Sequence, residues 1–336
     1  MDILIFCLFV ICVYLLSIFL KKKKYLISLS GDDHQKFVTN NSVPLIGGIF
    51  ILIGYSLIFF DQNKLFLLFL LFMFLLGLFS DLKLITSAKK RILIQVTIVG
   101  FLVYFLNLEI DSVRTTLIDK YLDIGIVNYF FVCFCIVILI NGSNFIDGLN
   151  GLSLGYYLII LFAILNCIEH QSNFNQIFYL LCLLLILIVF NFFNYLFIGD
   201  NGAYILGLIF SYLLIIIYQN DPSISPYYII LLLWYPCFEL LFSIIRKFNL
   251  NYSPIKPDVS HLHQLIYFLI KKKFNLTSLK SNNISSFVIL SYNTFVIFLG
   301  SQDIYNTQLQ VILILLSVIF YTLSYNLTLK YKKQDK

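Results

Sequence analysis

Residues 126–152 read IVNYFFVCFCIVILI and then NGSNFIDGLNGL. The first half is an unbroken apolar run without period-two alternation, the pattern of a membrane-spanning helix rather than of a barrel strand. The second half is the opposite kind of sequence. Asn141, Asn144, Asp147 and Asn150, with Gly142, Gly148 and Gly151, separate that run from the next apolar stretch. This block is too polar for a hydrophobic turn and too short for a domain. Asn and Asp offer hydrogen bonds to a sugar or nucleotide, and glycine lets the backbone approach a ligand closely. The alternative is a plain turn between two helices.

The same alternation runs through the chain. Of its 336 residues, 60% are hydrophobic and 12% charged, against about 25% charged in an ordinary soluble domain. Such a chain cannot cover a water-facing surface. Apolar runs near 3–20, 43–60, 64–80, 92–107, 126–140, 152–168, 176–197, 203–218, 227–245, 285–300 and 308–328 predict an all-α polytopic transmembrane bundle of about eleven spans. The chain 1–336 reads as one integral membrane domain. Lys21–Lys24 follow the first run, whereas a signal peptide carries its basic residues ahead of the apolar stretch. Residues 3–20 therefore read as a retained first span. The seven cysteines lie in or beside apolar runs without CxxC or zinc spacing and read as buried thiols.

Charge fixes the expected orientation. Alternate connections at 21–42, 81–91, 141–151, 198–202, 246–284 and 329–336 hold 20 of the 23 basic residues, leaving Lys64, Arg114 and Lys120 to the others. The positive-inside rule places the first set in the cytoplasm, with the N-terminus outside and the C-terminus inside. Basic residues that flank spans in this way also argue against nucleic acid as a partner, despite the net charge of +6.

Topology does not explain the acids of the inner set, several of which sit where a span meets the cytoplasm. Gly31-Asp32-Asp33-His34-Gln35-Lys36 leads to Val43-Pro44-Leu45-Ile46-Gly47-Gly48, either a phosphate-approaching helix start or a Pro-initiated helix with small packing residues. Asp81 falls at a helix C-terminus, where the dipole disfavours an anion. A metal or a cation such as the nearby Lys89-Lys90-Arg91 would supply the reason. Gly199-Asp200-Asn201-Gly202 puts a lone aspartate between glycines, an oxygen ligand suited to Mg²⁺. The long inner connection carries Glu239 and Arg246 ahead of it, then Lys256-Pro257-Asp258-Val259-Ser260-His261-Leu262-His263-Gln264. Histidines at i and i+2 do not share a helix face. They read as hydrogen-bond donors near a diphosphate or as solvated residues.

In this order, the five blocks over residues 30–265 resemble the polyprenyl-phosphate N-acetylhexosamine-1-phosphate transferases of glycosyltransferase family 4. The closest matches are Asn141-x-x-Asn144-x-x-Asp147-Gly148-x-x-Gly151-Leu152 and Gly199-Asp200. His261-Leu262-His263 is similar to the loop of the N-acetylglucosamine-1-phosphate branch. The chain departs from the family pattern at five places. Ser80-Asp81 stands for two adjacent aspartates, and Val38 or Thr39 for a histidine. Asn150 stands for a second aspartate, Glu239 for an aspartate and Gln264 for a third histidine.

The resemblance implies that undecaprenyl phosphate attacks the β-phosphorus of a UDP-N-acetylhexosamine, giving a lipid-diphospho-sugar and UMP. This would be a first membrane step of cell-surface polysaccharide, O-antigen or cell-wall glycan synthesis. It implies Mg²⁺, with Mn²⁺ as an alternative, on Asp200 and Asp147. Asp81, Asp147, Asp200 and His261 would be catalytic. Asp81 would orient or deprotonate the acceptor phosphate. Lys36, Asn141, Asn144, Gly148, Arg246 and His263 would bind substrate. The expected location is a bacterial inner membrane with the site facing the cytoplasm, and a homodimer is left open. The alternatives are the phospho-N-acetylmuramoyl-pentapeptide transferase of the same superfamily, a transporter and an inactive relative. A transporter would place its ionisable groups near the bilayer midplane, whereas these acids lie at span ends.

Overall fold

A computed structural model describes residues 3–27, 43–61, 63–167, 174–251, 253 and 259–334. Among them are thirteen helices: α1 (Ile3–Lys23), α2 (Gly47–Phe59), α3 (Lys64–Asp81), α4 (Ala88–Leu106), α5 (Thr116–Leu122), α6 (Gly125–Ile146), α7 (Leu152–Cys167), α8 (Phe174–Phe192), α9 (Gly199–Asn220), α10 (Pro226–Asn249), α11 (Leu262–Lys273), α12 (Ser278–Gly300) and α13 (Thr307–Gln334). Each of the eleven expected spans coincides with one of these helices. The remaining two, α5 and α11, occupy connections expected to be without structure. Seven of the helices are long and apolar enough to cross a membrane, and α2 and α7 are shorter apolar helices. The protein is an all-α polytopic membrane protein.

The helix faces divide as a bilayer requires. On α13, Leu313, Ser317, Tyr321 and Tyr325 recur at i, i+4 and are buried, while Ile312, Leu315, Leu316, Ile319, Phe320, Leu323 and Leu327 point outward. On α12 the inward face is polar and small, with Ser281, Asn282, Ser285, Ser286 and Asn293 buried, and Phe287, Phe295 and Phe298 exposed. An exterior of Leu, Ile and Phe over a partly polar interior suits hydrocarbon and not water.

Helix α9 is the centre of the bundle. It packs on α2, α3 and α6, and nearly every residue from Asn201 to Ser211 is buried. Small residues let the backbones meet. A Cβ at Gly207 would stand 2.5 Å from the Ile140 Cα of α6, one at Gly77 of α3 would stand 2.4 Å from the Asn201 Cα, and one at Gly48 of α2 would stand 2.5 Å from the Gly202 nitrogen. The Gly47-Gly48 pair therefore serves helix packing. The Gly47 amide donates to the Phe197 carbonyl at 2.9 Å, and the Phe197 amide donates to Pro44 at 2.9 Å. The chain ahead of α2 is thereby pinned to the chain ahead of α9.

The expected loops turn out to be helix ends. Helix α6 continues to Ile146, so Asn141 and Asn144 are helical instead of lying in a connection. Asp200 lies in the first turn of α9, and Asp81 is the last residue of α3. Local composition marked these places correctly as polar. It could not show that hydrogen bonding continues through Asn and Gly when neighbouring helices hold the turn.

On the opposite side, Arg114 gathers three connections. Its guanidinium donates to the Ser223 carbonyl (2.6 Å), the Ile224 carbonyl (3.2 Å), the Tyr305 carbonyl (3.1 Å) and the Thr307 hydroxyl (2.8 Å).

Candidate active site

Three helix ends meet at one point: the C-termini of α3 and α6 and the N-terminus of α9. Asp81 leaves α3 with its carboxylate aimed at the start of α9. Oδ1 accepts the Asp200 backbone N–H at 2.9 Å, and Oδ2 accepts the Asn201 backbone N–H at 3.0 Å and its side-chain amide. This answers why an acid stands at an unfavourable helix terminus. The first amides of α9 are orphan donors carrying the positive end of that helix dipole, and a carboxylate satisfies both needs. Asp81 thus has a capping role beside the expected one of orienting or deprotonating an acceptor. Gly199, at φ +71, makes the tight turn that brings these amides to Asp81. A Cβ there would stand 2.8 Å from Asp81 Oδ2, so glycine is needed for both conformation and space.

Asp200 is thereby held by its backbone while its side chain stays partly exposed. Oδ2 accepts from Arg91 Nη1 at 2.8 Å and from the Ser80 hydroxyl at 2.5 Å, and Oδ1 accepts from the Asn144 amide at 2.6 Å. Arg91 Nη1 also lies 2.6 Å from Ser80 Oγ. The Asp200 and Arg91 side chains keep 23% and 27% exposure, enough for a ligand to reach both. Asp147 follows α6 as its C-cap. Burial, then the Asp200 and Asp81 carboxylates, push its carboxyl well above the usual carboxylate range, and the Gly199 backbone amide pulls the other way. Three carboxylates around one paired guanidinium leave the cluster short of positive charge.

Asn141 stands one turn above Asn144, its amide donating to Gln95 Oε1 of α4 at 2.9 Å and to the Val137 carbonyl at 2.8 Å. Asn141 and Asn144 therefore brace helices and carboxylates through their amide N–H groups. Asn150 is buried. Its backbone N–H donates to Asn282 Oδ1 at 2.7 Å and its side-chain amide to Asn194 Oδ1 at 2.8 Å. It anchors the turn after Asp147 to the scaffold.

A second cluster adjoins the first. His261 is the N-cap of α11 and His263 lies in its first turn. Because His261 stands off the helix, the rings do not diverge as i, i+2 helical residues would. They stack at 5.5 Å with an 11° interplanar angle. His261 Nδ1 pairs with Glu239 Oε1 at 2.9 Å, and the Tyr321 hydroxyl donates to Glu239 Oε2 at 2.7 Å. The Phe145 ring meets His261 edge-on at 5.1 Å. His263 is 1% exposed, and a Cβ on Gly148 would stand 2.4 Å from its Nε2. Phe145 and Gly148 thus tie the histidine pair to the segment that carries Asp147. Burial pushes His263 down to about 4, so its ring packs here as a neutral group. Gly148 is where the chain makes room for it.

Arg246 is held between α10 and α13. Its guanidinium lies over the Tyr325 ring at 5.9 Å and reaches Ser243 Oγ at 3.1 Å. Lys36 lies outside the described residues. Sequence reasoning missed Arg91, Gln95, Ser80, Asn201, Glu239 and Tyr321 as site residues. Arg91 and Gln95, one turn apart at the start of an otherwise apolar helix, carried a readable signal. Tyr321 carried none.

Comparison with known proteins places this constellation. A sequence model of glycosyl transferase family 4 matches residues 64–218, which include Asp81, Arg91, Asp147 and Asp200. A Thermotoga maritima protein named undecaprenyl-phosphate alpha-N-acetylglucosaminyl 1-phosphate transferase is 30% identical over 250 residues, covering 74% of this chain and 75% of that protein. An Escherichia coli protein of the same name is 23% identical over 273 residues, covering 76% and 74%.

Proposed function

The chain belongs to glycosyl transferase family 4, and from that premise we propose that it transfers N-acetylglucosamine 1-phosphate from UDP-N-acetylglucosamine to undecaprenyl phosphate, releasing UMP. The observation that carries the proposal is Asp200, held in place from three sides and partly open beside Arg91. The relatives' names support the two substrates. The pentapeptide-transferase alternative is not favoured by any of them.

A phosphate oxygen of the lipid attacks the β-phosphorus, and the bond to the bridging oxygen of UMP breaks. Donor and acceptor bring several negative charges together, and the site must offset them. Arg91 supplies one positive charge. Among the described residues no three metal-ligating side chains form a group. We assign the ion to Asp200 and Asp147, with substrate phosphate oxygens and water left to complete the shell. That division is what Mg²⁺ favours, and a cluster with a deficit of positive charge fits a divalent cation. When bound, Mg²⁺ would offset charge on the transferring phosphoryl group. His261, with Nδ1 turned to Glu239, offers Nε2 to the diphosphate. Asp81 keeps Asp200 aimed, and Asn144 holds its second oxygen.

In this reading one domain spans the bilayer eleven times in an inner membrane, with the N-terminus outside. Lys89, Lys90 and Arg91 open α4 beside the site, so by the positive-inside rule the site faces the cytoplasm, where soluble UDP-sugars are found. Purified protein given both substrates and Mg²⁺ should release UMP, and Asp200→Asn should abolish it. Retained turnover in Asp200→Asn would overturn the assignment.

A further inference from the structure

Glu239 belongs to α10, yet it is 1% exposed and holds two partners from distant parts of the chain. One carboxylate oxygen takes His261 Nδ1–H from the start of α11, and the other takes the hydroxyl of Tyr321 from α13. Tyr321 is itself wedged among Phe238, Phe242 and Tyr235 of α10, with Phe238 edge-on at 4.9 Å and Phe242 at 5.1 Å. Its ring cannot turn without repacking that face. The imidazole of His261 is boxed between the His263 face and the Phe145 edge. The Tyr321 hydroxyl restrains rotation of the Glu239 carboxylate that His261 leans on.

We propose that Tyr321 is a positioning residue: through the Glu239 carboxylate it fixes His261 with Nδ1 protonated and Nε2 turned toward the reacting diphosphate. This rests on the role given to His261 under the proposed function. A carboxylate with both oxygens bonded has one orientation, and the neutral imidazole bonded to it has one tautomer. The hydroxyl also draws charge from the carboxylate and so weakens its hold on an imidazolium. Removing the hydroxyl should raise the pH at which the His261–Glu239 pair takes up its proton, and removing the charge of Glu239 should lower it. The titratable groups that face this pair are His263 from α11, Tyr235 from α10 and Tyr321 from α13.

The test uses full-length protein labelled with ¹⁵N-histidine, with His261→Gln assigning the resonance. Wild type should show His261 protonated at Nδ1. Tyr321→Phe should mix the tautomers and move the titration upward, and Glu239→Gln should move it downward. For Tyr321→Phe, kcat should fall about tenfold with KM for UDP-N-acetylglucosamine within about twofold, the range of outer positioning contacts. Tyr292→Phe, which loses a hydroxyl bond from α12 to Ser317 of α13, should change none of these. The proposal fails if Tyr321→Phe keeps the wild-type tautomer and titration, or if both variants shift in the same direction. If wild type transfers no sugar phosphate, the functional reading falls instead, and the spectra still decide the tautomer.

Discussion

Asp81 grips Asp200 by its backbone: the last carboxylate of α3 accepts the Asp200 N–H at 2.9 Å. The side chain of Asp200 is thereby left to other partners. Asp81→Ala should unseat the first turn of α9 at a cost of about 2 kcal/mol. Thermal unfolding in detergent should show the loss. Asp81→Asn, which retains one acceptor, should recover part of the stability and little of the turnover. Wild-type stability in Asp81→Ala would rule out the capping role.

The carboxylate cluster predicts a metal effect separable from turnover. Mg²⁺ at about one hundred times its dissociation constant should stabilise the folded protein by about 2.7 kcal/mol. A chelator should remove that gain and the turnover together. In Asp200→Asn the unfolding midpoint should no longer respond to Mg²⁺. An unchanged response would move the ion elsewhere.

Gly148 and His263 should behave as a coupled pair. Gly148→Ala drives a methyl into the imidazole, and overpacking of this kind costs about 1–3 kcal/mol. Shrinking the partner in Gly148→Ala/His263→Ala should return part of that cost. A double-mutant cycle with no coupling energy would contradict the contact.

His263 also sets an acid limit. Its folded value of about 4 lies below the ordinary 6.5, so folding expels a proton from this group. Its contribution is complete above about 6.5 and is lost as pH falls through 4, by roughly 3 kcal/mol at the limit. Unfolding midpoints measured between pH 7 and 4 should fall less steeply in His263→Gln than in wild type.

Arg114 should separate stability from chemistry. Arg114→Ala removes the donor to four carbonyls and a hydroxyl, a loss of about 1–2 kcal/mol because most of these groups can turn to water. At a temperature where the variant stays folded, kcat and KM should equal those of wild type. A changed KM would mean that the far side communicates with the site.

Much of the bundle was legible because apolar runs and the placement of lysines are local properties. The polar block at 141–152 and the Gly199-Asp200 pair were also legible, since glycine and aspartate interrupt a span only at a cost. What the residues do there was not. The capping role of Asp81 was hidden because its partners, the amides of Asp200 and Asn201, lie 119 and 120 residues away. The histidines seemed divergent because the reading assumed that both lay in the helix. Glu239 gains its meaning from Tyr321, 82 residues away, and no spacing rule reaches that far.

The turn after Asp147 is moored by uncharged amides, Asn150 to Asn194 and Asn282. Amide bonds have no ion atmosphere to screen. Raising ionic strength should therefore leave the mooring intact and act on the charged substrates and the Arg91–Asp200 pair alone. The salt dependence of turnover in this protein becomes a direct gauge of how nucleotide and lipid charge meet the site, without a contribution from a loosening scaffold.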